Sequence, residues 1–399
     1  MKRIKLVAGI LVMGSIYFSS CRKDNLEFNQ IPPSDLNTMM DEKGQNPDEV
    51  AIAEGVDKKN KGEHFVYSES NDPQKNYILV YEEQADGTLK PDGMVSSGGN
   101  GNGAGLGSQG AVILDENHKW LFAVNAGSNS ISSFKVQNDG SLVLKHTVSS
   151  FGNLPVSLTV NNSRLYVVNA GSDNIHGFKV NGNGTMTSIP GSDRPLSASP
   201  AGPAQISFGP DGKWLVVTEK ATNKILRFDI NGAGSLDPGI ATPSVGQTPF
   251  GFNFSQNKFM IVSNAAGGAA GAGSCTSYKF SNGGTFNDIN GAIGNNEAAP
   301  CWVAMTAHGR YAFVTNTASN SISSYFVDKN GQLFLINGIA ATSGAKPLDI
   351  VVSSDNKSVY VLCGGDHTMY QYKRGRLGRL VDNGFLSGLP SYAAGLAAY

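Results

Sequence analysis

The chain has 399 residues with 31 Lys+Arg against 32 Asp+Glu, a formal net charge of −1, which excludes the basic stripe of a nucleic-acid-binding protein. Charged residues make up 16% and glycine fills 49 positions, where about a quarter charged and ~7% glycine are usual. That composition points to short strands and tight turns rather than helices, and four cysteines are too few for a disulfide-built scaffold.

Met1-Lys2-Arg3-Ile4-Lys5 is basic, an apolar stretch runs from Leu6 to Phe18, and Ser19-Ser20-Cys21 follows. This is the three-part pattern of a secretory leader over residues 1–20, and its apolar part is too short for a comfortable membrane span. A cysteine directly after small residues resembles the cleavage site of bacterial lipoproteins. Cys21 is therefore the expected lipidation site, with ordinary cleavage and a free Cys21 as the alternative. The expected location is outside the cytoplasm, on a bacterial membrane, in the periplasm or at the cell surface, held by acyl chains alone. Residues 21–60 are rich in Asp, Glu, Asn, Lys and Pro and read as a disordered tether with a reach of ~35 Å.

Residues 61–399 are built from a repeat. Leu121-Phe122-Ala123-Val124-Asn125-Ala126-Gly127-Ser128-Asn129, Leu165-Tyr166-Val167-Val168-Asn169-Ala170-Gly171-Ser172-Asp173 and Ala312-Phe313-Val314-Thr315-Asn316-Thr317-Ala318-Ser319-Asn320 share one pattern. Variants end at Glu219, Asn264 and Cys363, so the marker position recurs every 44 to 52 residues. That period suits a four-stranded propeller blade. Each unit reads as an apolar strand, a hairpin such as Pro210-Asp211-Gly212, the marker strand, an alternating third strand, and a fourth strand opened by turns such as Asn138-Asp139-Gly140. A partial unit beginning at Phe65 lacks its innermost strand, and residues 392–399 supply one. The expectation is an all-β, seven-bladed propeller of four-stranded antiparallel blades, closed by pairing of its N- and C-terminal strands.

With its units laid out, the chain resembles the seven-bladed lactonase-like propellers, which include propeller-type 6-phosphogluconolactonase and carboxymuconate lactonizing enzyme. The resemblance covers residues 61–399 and rests on the marker, the Pro-Asp-Gly hairpins and the Asp-Gly-x-Leu fourth strands together. It implies a lactonase-like hydrolase acting on a small lactone or sugar-acid ester, with water activated by a carboxylate in the central funnel. The alternative is a non-catalytic ligand-binding or scaffold propeller at the cell envelope.

Antiparallel pairing puts the marker ends beside the starts of the innermost strands. Asn125, Asn169, Glu219, Asn264, Asn316 and Cys363 would then share one funnel mouth with Gln205, Cys301 and Asp349. For the asparagines and Asp349 the expected role is ligand contact. A turn-capping role for the asparagines stands beside it, because Asn after a strand often bonds its own backbone. Glu219 is the expected general base, with a solvated pair with Lys220 as the alternative, and Gln205 would steady the oxyanion. The resemblance carries a Glu at the position of Glu219. It also implies Gly-Pro-Arg-His where this chain has Gly202-Pro203-Ala204-Gln205, Pro-His where it has Pro155-Val156, and Asn-Arg where it has Asn264-Ala265. The cations that would hold a lactone carboxylate or phosphate are thus missing. The glycine-rich run 98–108 reads as a flexible rim loop, without the Gly-Lys-Ser/Thr of a P-loop. Six scattered histidines lack metal-ligand spacing. His118 and His308 fall on hairpins of the opposite rim, and His367 lies nearest the funnel. Cys275 aligns with core Ile131, and Cys301 and Cys363 could form a disulfide. No cofactor, metal or nucleic acid is expected. The expected partner is a small lactone or carbohydrate-derived molecule, and the expected state is a monomer.

Overall fold

A computed structural model describes residues 64–281 and 283–399. The expected leader, tether and Cys21 lie outside these residues. No helix among the described residues is long and apolar enough to cross a membrane. The chain folds into seven antiparallel sheets. Their innermost strands are Ala394–Ala398, Val112–Leu114, Pro155–Asn161, Pro203–Phe208, Pro249–Phe254, Pro300–Met305 and Pro347–Val352, for blades 1 to 7. Each packs on the next around a central axis, and the last returns to the first. Blade 1 is completed by both ends of the chain: Phe65–Glu69 pairs with Ala394–Ala398, placing Val66 opposite Ala398. Two backbone bonds fasten the seam, Phe65 N–H to the Tyr399 carbonyl at 3.2 Å and Tyr399 N–H to the Phe65 carbonyl at 3.1 Å. Closure leaves no inner sheet edge open to a second chain.

The apolar runs of the marker strands follow from their position between two neighbours. In Trp120–Asn125, Leu121 and Ala123 pack with Phe65, Tyr67 and Val80 of blade 1, while Phe122 and Val124 pack with Leu165 and Val167 of blade 3. Both faces of the strand are buried, so period-2 alternation of polar and apolar residues disappears there. Burying each such side chain stabilises by ~1.5–3 kcal/mol.

One corner repeats at five blade entries. An inner strand opens on proline (155, 203, 249, 300, 347), and that proline pairs with the marker residue of its own blade. The residue before each proline is left-handed: Leu154, Gly202, Thr248, Ala299 and Lys346 have φ between 51° and 63°. Its carbonyl accepts the N–H of the residue after the marker, as in Ala170 to Leu154 at 2.8 Å and Lys220 to Gly202 at 3.0 Å. Proline suits the first strand position because it has no N–H to satisfy. Only Gly202 adopts the left-handed turn without Cβ strain. Gly202→Ala is expected to cost about 1 kcal/mol, read as a lowered midpoint in denaturant with unchanged slope. The added Cβ would meet its nearest atom at an ordinary 3.4 Å, so crowding does not contribute.

Candidate functional site

The marker positions form a ring of seven, because Glu69 occupies the place in blade 1 that Asn125 and Glu219 occupy in theirs. Glu219 is therefore not the sole carboxylate among the markers. The Phe65–Glu69 strand carried the signal, in the same apolar run ending on a polar residue. All seven markers are buried. Asn125 donates to Ser132 Oγ at 2.8 Å and accepts from Ser97 Oγ at 2.5 Å. Asn169 donates to the Ser150 carbonyl at 3.2 Å. Asn264 donates to Thr276 Oγ1 at 2.9 Å. Asn316 donates to Ser323 Oγ at 2.9 Å and accepts from Asn295 Nδ2 at 2.9 Å. These amides tie the end of the marker strand to the third strand of its own blade and to the crossing that enters that blade from the preceding one.

Glu219 is 0% exposed. Its Oε1 accepts the Ser197 N–H at 2.8 Å, and its Oε2 accepts the Ser197 hydroxyl at 2.5 Å and the Thr222 hydroxyl. Lys220 turns away from it, donating to the Gly107 carbonyl and lying 4.8 Å from the centre of the Phe250 ring. Burial pulls the Lys220 amine down to about 8, opposed by neighbouring Cys301. Glu69 Oε2 accepts from Asn76 Nδ2 at 2.8 Å, and its Oε1 has no partner. Burial pushes the Glu69 carboxyl up to about 8, opposed by the Asn76 bond.

The glycine-rich segment is a fixed plug, not a flexible rim loop. It is pinned first at blade 1, where the Asn71 amide donates to Asn102 Oδ1 at 2.8 Å and to the Ala104 carbonyl at 2.7 Å. A Cβ on Gly101 would lie 2.0 Å from the Asn71 backbone, so only glycine fits that approach. The segment then runs to the axis. Ser108 Oγ donates to the Val156 carbonyl at 2.8 Å, and Trp302 Nε1 donates to the Ser108 carbonyl at 2.8 Å. Gln109 reaches across to blade 6, its Nε2 donating to the Val303 carbonyl at 2.8 Å and its Oε1 accepting the Val303 N–H at 3.1 Å. The marker-side mouth, expected to be an open polar funnel, is thus filled by Ser108, Gln109, Phe250 and Trp302. Cys275, Cys301 and Cys363 are buried free thiols, so the possible Cys301–Cys363 bridge is not formed.

An axial cavity of about 420 Å³ lies on the other side of this plug. Gln109, Gln205 and Asp349 line its closed end, Val112, Leu158, Val303 and Ile350 contribute to its walls, and Asp115, Glu116 and His118 stand at the hairpin rim. Of the expected site residues, Gln205 and Asp349 meet in this cavity; Glu219 and the marker asparagines do not line it. His118 on the opposite-rim hairpin was the sequence signal for this end. Asp349 is 2% exposed. Its Oδ1 accepts the Ile350 N–H at 2.8 Å, and its Oδ2 has no partner. Burial holds this carboxyl well above the usual carboxylate range, opposed by the backbone N–H groups of Ile350 and Leu396. Gln205 Oε1 accepts the Phe252 N–H at 2.7 Å, which leaves its Nε2 as a donor.

The sequence profile described as "Lactonase, 7-bladed beta-propeller" matches residues 65–193 and 184–271. The chain belongs to this lactonase propeller family. No curated protein matches it. Solved structures with the same fold include a candidate 6-phosphogluconolactonase from Bacteroides uniformis, 19% identical, covering 84% of this chain and 99% of its own with a TM-score of 0.66. A second candidate 6-phosphogluconolactonase, from Bacteroides fragilis, is 18% identical over 86% of this chain and 100% of its own, TM-score 0.67. A periplasmic gluconolactonase of Pseudomonas aeruginosa is 17% identical over 84% and 98%, TM-score 0.66. At these identities the likeness is one of fold, and within the lactonase family the chemistry of this chain rests on its own residues. Gln109→Ala, which removes both bonds across the axis and leaves Val303 N–H unpaired, is expected to cost about 1–3 kcal/mol, measured by chemical denaturation.

Proposed function

We propose that this lactonase-family propeller hydrolyses a small lactone in the axial cavity, with Asp349 as the base and Gln205 as the oxyanion donor. The reading is carried by the Asp349 carboxyl: buried at the closed end of the cavity, with Oδ1 anchored by the Ile350 N–H and Oδ2 unpartnered, and it requires the wall around Oδ2 to open to water. Burial raises its affinity for a proton, which makes it, once ionised, a stronger base than an ordinary aspartate. The cavity volume falls within the roughly 300–1,000 Å³ of small-molecule sites.

In this mechanism ionised Asp349 takes a proton from water as the water oxygen bonds to the ring carbonyl carbon. Gln205 Nε2 donates to the oxygen that becomes negative. The tetrahedral intermediate then breaks its acyl carbon–ring oxygen bond. The proton passes from Asp349 to the departing alkoxide, and the open hydroxy acid is the product. Asp349→Asn is expected to lower lactone turnover by about 10²–10⁴-fold, followed as proton release on simple γ- and δ-lactones. Because the base works only when ionised and burial raises its pKa, kcat/KM should rise with pH along a limb displaced above the ordinary aspartate range. Binding without turnover is the second reading, favoured by the lack of a lysine or arginine among the described residues lining the cavity to help stabilise an oxyanion. Lactone binding with no proton release above the uncatalysed rate would establish it.

We further infer that Cys21 is acylated and holds the propeller on a bacterial membrane, supported by the leader pattern before it. Cys21→Ser should shift the protein from the detergent phase to the aqueous phase on phase separation. Retention of the variant in the detergent phase would remove this reading.

A further inference from the structure

We propose that the axial cavity admits lactones that carry no anionic group and excludes phosphorylated or carboxylated ones. The proposal rests on the cavity being the lactone site.

Three observations converge on it. First, none of the described residues lining the cavity is a lysine or arginine, while carboxyl groups stand at both ends: Asp349 at the closed end, Asp115 and Glu116 at the open rim, where the histidine His118 stands beside them. Asp115 is held in place, its Oδ1 accepting the N–H groups of Lys119 and Trp120 at 2.6 and 2.8 Å. An anion entering past this rim meets like charge in a confined channel, which focuses the repulsion.

Second, the backbone donors that could cradle an anion at the closed end are already engaged. Val303 N–H goes to Gln109 Oε1, Phe252 N–H to Gln205 Oε1, Ile350 N–H to Asp349 Oδ1 and Ile206 N–H to Ser157 Oγ. A desolvated phosphate needs several donors or a cation. Gln205 Nε2 is a single neutral donor, enough for a carbonyl oxygen.

Third, Lys220, the partly buried amine near the axis, is on the far side of the plug. Its ammonium donates to the Gly107 carbonyl and rests on Phe250, and it does not line the cavity. The same plug that closes the marker-side mouth therefore separates that cation from the site. The relatives of this fold that are candidate 6-phosphogluconolactonases carry a phosphorylated substrate in their names. This chain's cavity offers no lysine or arginine among the described lining residues to such a substrate.

The test uses the full chain and two non-hydrolysable probes, the ring-lactam analogue of glucono-δ-lactone and its 6-phosphate, titrated by calorimetry against wild type and Glu116→Lys. Glu116 is an exposed hairpin residue, so the substitution leaves the core intact. The expected result is that the neutral lactam binds, its phosphate binds at least about tenfold more weakly, and Glu116→Lys narrows the gap. A phosphate that binds as tightly as the neutral lactam, or more tightly, overturns the proposal while leaving the cavity as a lactone site. A gap that Glu116→Lys leaves unchanged assigns the exclusion to size and overturns the electrostatic argument. If neither probe binds, the lactone reading of the cavity falls and the proposal with it.

Discussion

Gln109 spans the axis of the ring and spends both ends of its amide on one residue, Val303, in a blade that is not a neighbour of its own. The two ends of the axis differ on either side of that bridge. On one side the chain packs its own Ser108, Phe250 and Trp302 into the mouth formed by the inner-strand starts. On the other side the inner strands enclose an open volume lined by Gln205 and Asp349. A propeller axis has two ends, and the symmetry of the blades does not choose between them. A single glutamine delivered by a glycine-rich crossing makes that choice.

The marker residues serve the frame from which the cavity hangs. Each lies where the second strand turns, with its polar atoms out of water, and buried polar groups must find partners. In blades 2, 5 and 6 the asparagine Nδ2 donates to two serine or threonine hydroxyls of the third strand, which accounts for the Asn–Ser–Ser texture of the repeat. Where the marker is glutamate, the surroundings change to suit it: Glu219 receives three donors from Ser197 and Thr222. Glu69 receives one, and its burial costs show in its raised proton affinity. The same position in the repeat thus hosts a well-satisfied carboxylate and a poorly satisfied carboxyl.

The charge around the axis is partitioned by the plug. Lys220 is confined to the sealed side, while the carboxyl groups of Asp115, Glu116 and Asp349 face the open one. Membership of the lactonase family fixes the architecture and the class of chemistry to be considered. Ligand choice within such a fold depends on groups placed site by site, and here those groups are acidic and amide-bearing.

The seven blades, their order and the closure by the two ends of the chain were legible in the sequence. Strand period, hairpin residues and marker spacing are local properties, and a 44–52-residue repeat leaves little choice of architecture. The repeat also placed Gln205 and Asp349 at inner-strand starts near the axis. It could not separate them from Glu219 and the asparagines, which share the same rim in a repeat diagram. That separation depends on side-chain direction and on what fills the mouth, both tertiary facts. Residues 98–109 carry no periodic signal, and glycine-rich composition alone suggests flexibility. Only contacts with residues far away in the chain, Asn71, Val156, Trp302 and Val303, convert the segment into a plug. Local sequence determined the frame, and long-range hydrogen bonding decided which end of the axis is filled and which stays open.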